Sequence, residues 1–377
     1  MPARVVICAR EIPDVLRDCE AAGGPVRLHV AHRLAELFGG DVHIPDATGM
    51  LLRDRAHGSG VLIVDGRAWF PPDAPLGWLK PAESARSFRV AGPRSETLAV
   101  HLDRDELRKS VDEGGLSVDL CEQILDGRSQ LARDAPVMIS PGMLIDGYDD
   151  VARLETSVLQ LRADAAMSKG VRLRDPGSVY IRGSLVCGVN VTIDVDVIFE
   201  SEVVLSDNVR VDAHCILRGA HIGANTWLKA FSLVEDAAIG GDCIIGPYAR
   251  IRPASSVGDH CQIGNFVEVK SSTIGAGSRI NHHSFIGDAV LADRVTIGAG
   301  TITCNHDGTR TNQTVIGKEA YIGSGCKLVA PLRVGDAATI GAGSTITEDV
   351  PPAALTVARS RQVTIPHWRG PRSIRHE

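Results

Sequence analysis

His282, Arg252 and Lys270 are residues whose side-chain types could carry chemistry. A neutral imidazole, which titrates near pH ~6.5, can accept a proton from an attacking nucleophile. A guanidinium and an ammonium group together suit a phosphate or carboxylate, because one donates in a fork and the other is a point charge. Residue type alone leaves a second interpretation open, in which all three are ordinary surface side chains.

The elements that carry these residues follow from a six-residue period of apolar side chains. This period is neither the 2 of a strand nor the 3.6 of a helix. It is typical of a hexapeptide solenoid, in which each repeat is a short strand with a turn and three repeats form one triangular coil. Allowing for slips of one residue, the periodic positions are Ile193, Phe199, Leu205, Val211, Leu217, Ile222, Leu228, Val234, Ile239, Ile245, Ile251, Val257, Ile263, Val269, Ile274, Ile280, Ile286, Leu291, Ile297, Ile316, Ile322, Leu328, Val334, Ile340 and Ile346.

The period predicts a left-handed parallel β-helix of about eight coils over residues 171–358. Each periodic residue should point into the prism and stack on its counterpart one coil away, while small residues beside it permit the corner. A β-sandwich that is merely rich in valine, isoleucine and glycine would not hold one register over so many residues. The register breaks at Cys304–Gln313, and we expect this insertion to project as a loop beside the active site.

The chain before the solenoid differs in pattern. Apolar residues from Val151 to Ala165 step by three and four, which predicts a linker helix over residues 149–170 that packs on the first coil. The short apolar runs VVICA and VLIVDG are typical of strands, so residues 1–148 are expected to form a smaller α/β domain.

Composition excludes several classes of function. With 46 acidic against 40 basic side chains and a net charge of -6, neither a nucleic acid nor a membrane is an expected partner. The nine cysteines are odd in number and form no CxxC pair, which indicates a cytoplasmic protein without a disulfide framework or a metal site. We find no signal peptide, and no apolar run of the roughly 18 residues that a membrane span requires.

The segments GPYARIRPASSVGDHCQIGNFVEVKSSTIGAGSRINHHSFIGDA and GAGTITCNHDG closely resemble the acetyltransferase half of the bacterial bifunctional enzyme that makes UDP-N-acetylglucosamine. The resemblance begins at VRLRDPGSVYIRG and covers about residues 171–370. It implies a homotrimeric acyltransferase that uses acetyl-coenzyme A, or another acyl-coenzyme A, to acylate an amino sugar or its 1-phosphate.

The resemblance also implies roles for individual residues. His282 matches the general base, and the adjacent His283 is expected to face elsewhere. Arg252 and Lys270 match the pair that binds the sugar phosphate, with Asn265 and Glu268 beside them. Asn305 matches a substrate contact. Ser324 and Ala342 match positions that line the coenzyme A channel, and Arg359 matches a position near the phosphates of the cofactor. Arg359 also begins a basic tail over residues 359–377.

Four positions of the substrate pocket depart from the family pattern. Phe285 and His306 stand where the family has tyrosines, Thr296 where it has an asparagine and Thr311 where it has a lysine. Each loss of a buried hydrogen-bond donor typically costs about 1 to 3 kcal/mol. The residues matched to acyl transfer are retained, whereas the acceptor is expected to differ from glucosamine-1-phosphate. A hydroxyl group in place of an amine is an alternative nucleophile on that acceptor.

The N-terminal domain weakly resembles degenerate nucleotidyltransferase-like domains. A nucleotide-binding loop would need glycines after the first strand, yet VVICA leads into REIPDVL. The favoured function is thus N-acyl transfer alone. The alternatives are a non-catalytic solenoid that binds a sugar nucleotide or organises a pathway, and a full bifunctional enzyme that forms UDP-N-acetylglucosamine.

Overall fold

The computed structural model describes residues 148–368 continuously and only short segments before them. The chain divides into two compact units, Met1–Arg162 and Ala163–Glu377. The described segments of the N-terminal part are residues 4–8, 20–21, 24–25, 42–43, 50–52, 60–65, 68–69, 88–91, 97–103, 116–126, 129, 137–139 and 143–144.

The first unit contains a six-stranded mixed sheet. Its strands, in spatial order, are Val137–Ile139, Phe88–Ala91, Thr97–Asp103, Gly60–Asp65, Arg4–Cys8 and Val42–His43. Three two-stranded pairs and one helix complete the described elements: Glu20–Ala21 with Gly24–Pro25, Met50–Leu52 with Leu116–Ser117, Ala68–Trp69 with Met143–Leu144, and the helix Val118–Leu125. Both predicted strands, VVICA and VLIVDG, are present, whereas the REIPDVL segment lies outside the described residues.

The second unit is the predicted left-handed parallel β-helix, with three parallel sheets as the sides of a prism. The first sheet contains Arg172–Leu173, Thr192–Ile193, Arg210–Val211, Trp227–Leu228, Ile244–Ile245, Gln262–Asn265, Arg279–His282, Thr296–Ile297, Tyr321–Ile322, Thr339–Ile340 and Leu355–Thr356. The second contains Tyr180–Ile181, Ile198–Glu200, Ile216–Arg218, Leu233–Glu235, Arg250–Ile251, Glu268–Lys270, Phe285–Gly287, Ile302–Cys304, Lys327–Val329 and Thr345–Ile346. The third contains Ser184–Cys187, Glu202–Leu205, His221–Ile222, Ala237–Ile239, Ser255–Val257, Thr273–Ile274, Ala289–Leu291, Thr314–Ile316 and Leu332–Val334.

Every periodic apolar side chain points into the prism, and none is more than 4% exposed. The coil count, however, is higher than the predicted eight, because the sheets hold eleven, ten and nine strands. The six-residue period extends toward the N-terminus through Cys187 and Ile181, and at position 187 a cysteine replaces the aliphatic residue. Before Ile181 a short 3-10 turn, Pro176–Ser178, interrupts the spacing, so the first coil carries no clear six-residue signal.

The linker helix spans Tyr148–Ser168. Val151 and Leu154 on its predicted apolar face are buried, but Ala165 is exposed. Ala163 belongs to the core of the solenoid instead, and the partly buried Ala166 and Met167 pack against that core. Among the helices that the structure describes, none is both long and apolar enough to cross a membrane.

Candidate active site

The candidate site is built on the corner between the first and second sheets. The residue two positions after each inward residue of the first sheet falls on this corner, and the successive coils place these residues in one line. We call this line the corner column: Pro247, Asn265, His282, Ala299, Ser324 and Ala342. The predicted base and two of the three predicted coenzyme A positions therefore share one edge of the prism.

His282 is exposed at this corner and is held by its neighbour in the preceding coil. Its Nδ1 lies 2.7 Å from Oδ1 of Asn265, and the two residues are Cα partners in the first sheet. An amide oxygen only accepts, so this contact assigns the ring proton to Nδ1 and leaves Nε2 with a lone pair. The geometry thus suits a general base. His283 points elsewhere, with its ring 4.9 Å from the ring of Phe266.

The two predicted phosphate-binding cations lie on the second sheet, each beside a carboxylate. Arg252 donates to Glu268 Oε1 at 2.7 Å. Lys270 Nζ lies 4.0 Å from Asp288 Oδ2, and the same oxygen accepts a hydrogen bond of 2.5 Å from the Asn305 amide. Asp288 thus links Lys270 to Asn305, while Arg252 and Glu268 form a separate ion pair on the same sheet. Sequence reasoning missed Asp288, whose role depends on one partner from the preceding coil and one from the following coil.

The surroundings of Arg252 and Lys270 break a regular charge pattern. The outward residue after each inward residue of the second sheet alternates in sign through Arg182, Glu200, Arg218 and Glu235, and neighbours in this ladder are ion-paired. The hydrogen bond from Arg218 holds the pKa of Glu200 below its usual value. Arg252 and Lys270 occupy the next two places, so like charges follow each other where alternation would require a carboxylate. This is the arrangement expected of an anion site.

The insertion at Cys304–Gln313 folds as a compact loop beside these cations. His306 and Thr311 pair across it, and the His306 Nδ1 accepts from the amide of Gly308 at 3.1 Å. Asp307 accepts from the amides of Thr309 and Arg310, both at 2.9 Å, and these bonds hold the pKa of its carboxyl well below the ordinary value. Local hydrogen bonds, rather than a hydrophobic core, therefore fix the loop.

Phe285 lies on the second sheet between Glu268 and Ile302, its partners in the adjacent coils. A Cβ atom at Gly287 would fall 2.5 Å from its ring and 2.9 Å from the Asn305 amide nitrogen. The ring therefore lies across Gly287 and reaches toward Asn305. Only a glycine at position 287 leaves room for this ring.

Other predicted positions are more distant from this group. Thr296 lies on the first sheet between Arg279 and Tyr321, on a different side of the prism from Phe285. Arg359 donates to the carbonyl of Ala342 at 2.8 Å, next to the end of the corner column. Residues 369–377, which hold Arg369, Arg372 and Arg375 of the basic tail, lie outside the described residues.

A groove of about 460 Å³ opens on the first sheet beside His282. It extends from His282 toward the earlier coils, away from Ser324 and Ala342. Its walls are apolar and amide side chains, with a lysine at the far end: Ile244, Tyr248, Gln262, Asn281 and Lys229. None of these residues was predicted from the sequence.

The matches to known proteins concern the solenoid. Residues 233–326 match the family described as the GMPPB C-terminal domain. The chain is 51% identical over 227 residues to the bifunctional protein GlmU of Aromatoleum aromaticum, covering 60% of this chain and 50% of that protein. It is 50% identical over 213 residues to GlmU of Herminiimonas arsenicoxydans, covering 56% and 47%. The resemblance predicted for the solenoid is confirmed, and the chain spans about half the length of these relatives.

The UDP-N-acetylglucosamine O-acyltransferase (LpxA) of Moraxella catarrhalis matches with a TM-score of 0.29 and 15% identity, covering 47% of this chain and 70% of that one. The perosamine N-acetyltransferase of Caulobacter crescentus, solved with CoA and GDP-perosamine, matches with a TM-score of 0.18 and 14% identity, covering 52% and 71%.

Proposed function

We propose that the solenoid is an acyltransferase that uses acyl-coenzyme A, first of all acetyl-coenzyme A, to acylate the amine of an amino sugar or an amino-sugar 1-phosphate. The observation that carries the proposal is the His282–Asn265 contact on the corner column that also holds Ser324 and Ala342. About half of the residues in the matched segments are identical to those of GlmU proteins, which supports the proposal.

In the proposed reaction the amine nitrogen attacks the thioester carbonyl carbon, and Nε2 of His282 takes the proton that the nitrogen loses. A carbon–nitrogen bond forms and the carbon–sulfur bond breaks. The leaving sulfur then takes a proton from the imidazolium, so the products are the N-acyl sugar and the free thiol of coenzyme A. The amide of Asn265 and backbone N–H groups at the corner are suited to stabilise the oxyanion.

Arg252 and Lys270 anchor the anionic group of the acceptor in this proposal. Both cations already face carboxylates, so a bound phosphate competes with Glu268 and Asp288 for them. The displaced carboxylates can then accept hydrogen bonds from the amine or hydroxyls of the sugar. Anchoring and orientation of the acceptor thus use the same four side chains.

The donor runs along the later part of the corner column, where Ser324 and Ala342 leave room for pantetheine and Arg359 lies near the phosphates. We extend the proposal to a homotrimer in the cytoplasm, in which neighbouring subunits complete each site. We expect the acceptor to differ from glucosamine-1-phosphate, because Phe285, Thr296, His306 and Thr311 depart from the residues that the family has at these positions.

The test is release of coenzyme A from acetyl-coenzyme A with a panel of amino sugars and their 1-phosphates. His282→Ala should lose at least about a hundredfold in kcat, within the range of general-base contributions. His283→Asn is the matched control, since it removes the neighbouring imidazole and asparagine tolerates the left-handed backbone at that position, where φ is 44°. It should retain activity.

Equal activity of His282→Ala and the wild type would contradict the proposed base. If no amine is acylated from any acyl donor, the solenoid is a binding or organising module and the proposal is wrong. Turnover of glucosamine-1-phosphate at an ordinary rate would overturn only the altered acceptor.

A further inference from the structure

A lane made of glycines, with Asn281 as the one longer side chain over five coils, runs along the first sheet beside the corner column. The residue directly after each inward residue of this sheet is Gly246, Gly264, Asn281, Gly298 or Gly323 in five successive coils. At Gly264 a Cβ atom would fall 1.9 Å from the carbonyl oxygen of Asn281, so only glycine fits there. The lane extends to both sides of His282.

The groove of about 460 Å³ is the part of the lane on the earlier coils. Lys229, in the same row as these glycines, closes it three coils from His282, which is roughly 14 Å at the usual spacing between strands. An acetyl group fills only a small fraction of this volume. The proposed coenzyme A positions lie on the opposite side of His282 and do not use the groove.

Lys229 forms no ion pair with a carboxylate among the described residues. Its ammonium lies 4.9 Å from the Trp227 ring. The carboxylate in the adjacent coil, Asp212, is already engaged by Arg210 at 2.8 Å and by the Trp227 indole at 2.7 Å. The far end of the groove therefore presents a positive charge that a ligand can neutralise.

We propose that this groove binds the acyl group of the donor, and that the preferred acyl group is longer than acetyl and ends in a carboxylate that pairs with Lys229. In an extended thioester the acyl chain continues the line of the pantetheine beyond the carbonyl carbon. With pantetheine along Ser324 and Ala342 and the carbonyl at His282, that line enters the groove. Ile244 and Tyr248 then contact the methylene groups, while Gln262 and Asn281 line the polar side.

This inference rests on the proposed function and adds the donor class to it. The terminal carboxylate takes no part in the reaction: the carbon–nitrogen bond forms, the carbon–sulfur bond breaks and the proton passes through His282 as before.

The experiment compares donors matched in chain length, with and without the terminal carboxylate: succinyl- against butyryl-, glutaryl- against pentanoyl-, and adipyl- against hexanoyl-coenzyme A. Acetyl-coenzyme A is included as the short donor. In at least one pair the carboxylate form should have a kcat/KM about tenfold higher, as expected for a hydrogen bond to a charged group. Lys229→Met, which keeps the length of the side chain, should abolish that ratio. Lys318→Met, an exposed lysine on another corner, should leave it unchanged.

Transfer of acetyl with no preference for any carboxylate form would overturn the inference and leave the proposed function standing. A preference that survives Lys229→Met would also overturn it, because the charge would then be recognised elsewhere. If no donor releases coenzyme A with any amino sugar, both the proposed function and the inference fail.

Discussion

The contact between Asn265 and His282 decides which ring nitrogen is available as a base, and this makes it testable by pH. Asn265→Asp places a carboxylate 2.7 Å from Nδ1, where it stabilises the imidazolium. Because the base must be unprotonated, the acidic limb of the kcat/KM profile should move to higher pH, by about one unit. The measurement is the pH–rate profile of each variant.

Asn265→Leu is the matched control for that substitution. It removes the hydrogen bond without adding charge, so the rate should fall, by about tenfold to a hundredfold, with the position of the limb nearly unchanged. An unaltered limb in Asn265→Asp would contradict the proposed role of Asn265 as the residue that positions His282.

Phe285 is the second residue whose chemistry can be tested singly. Its ring reaches across Gly287 toward Asn305, so Phe285→Tyr adds a hydroxyl on the side where Asp288 and Asn305 already meet. The added donor should raise kcat/KM for an amino-sugar 1-phosphate relative to the unphosphorylated sugar, by about tenfold. Steady-state kinetics on both acceptors gives the ratio. If the ratio stays constant, Phe285 does not select the acceptor.

At the scale of the coil, Thr303 occupies an inward position where an aliphatic residue is usual. Thr303 is fully buried in the second sheet, and its hydroxyl accepts from the amide of Gly287 at 2.8 Å and donates to the carbonyl of the same residue at 3.0 Å. Thr303→Val keeps the shape but leaves that amide unsatisfied, so the free energy of unfolding should fall by about 1 to 3 kcal/mol.

The chain offers a control for this substitution at Thr314, which is equally buried but whose hydroxyl has no hydrogen-bond partner. Thr314→Val should be neutral or stabilising, because it removes a polar atom that is buried without compensation. Thermal and urea denaturation of the two variants distinguish the cases. Equal losses in both would mean that the hydroxyl of Thr303 contributes little.

The coil is also where the limits of sequence reasoning appear. Counting two positions past each inward aliphatic residue aligns Asn265, His282, Ser324 and Ala342, so the corner column could be predicted from the period. Asp288 and Thr303 could not, because their polar partners lie in adjacent coils: Asp288 contacts Lys270 and Asn305, and Thr303 hydrogen-bonds to Gly287. The six-residue period predicts which side chains point into the prism. It does not predict which side chains of adjacent coils are close enough to form hydrogen bonds.

At the scale of the whole molecule, an exposed aromatic ridge runs along the corner toward the site. Phe231, Tyr248 and Phe266 stack at centroid distances of 4.9 and 5.2 Å and are 47, 46 and 53% exposed. Because their faces cover one another, only the ring edges are left for a partner. Such an apolar strip beside the candidate site is a suitable contact between subunits of the proposed trimer.

The ridge permits a test that separates assembly from folding. Phe231 and Phe266 both have left-handed backbones, with φ of 61° and 54°, which asparagine adopts more readily than phenylalanine. The double substitution Phe231→Asn, Phe266→Asn should therefore leave the solenoid folded by circular dichroism, while sedimentation shows a shift from three times the mass of one chain toward the single chain. Activity should fall with the fraction assembled, since in the proposed trimer neighbouring subunits complete each site. A variant that still sediments as a trimer would exclude the ridge from the contact, and a wild-type protein that sediments as a single chain would exclude the trimer itself.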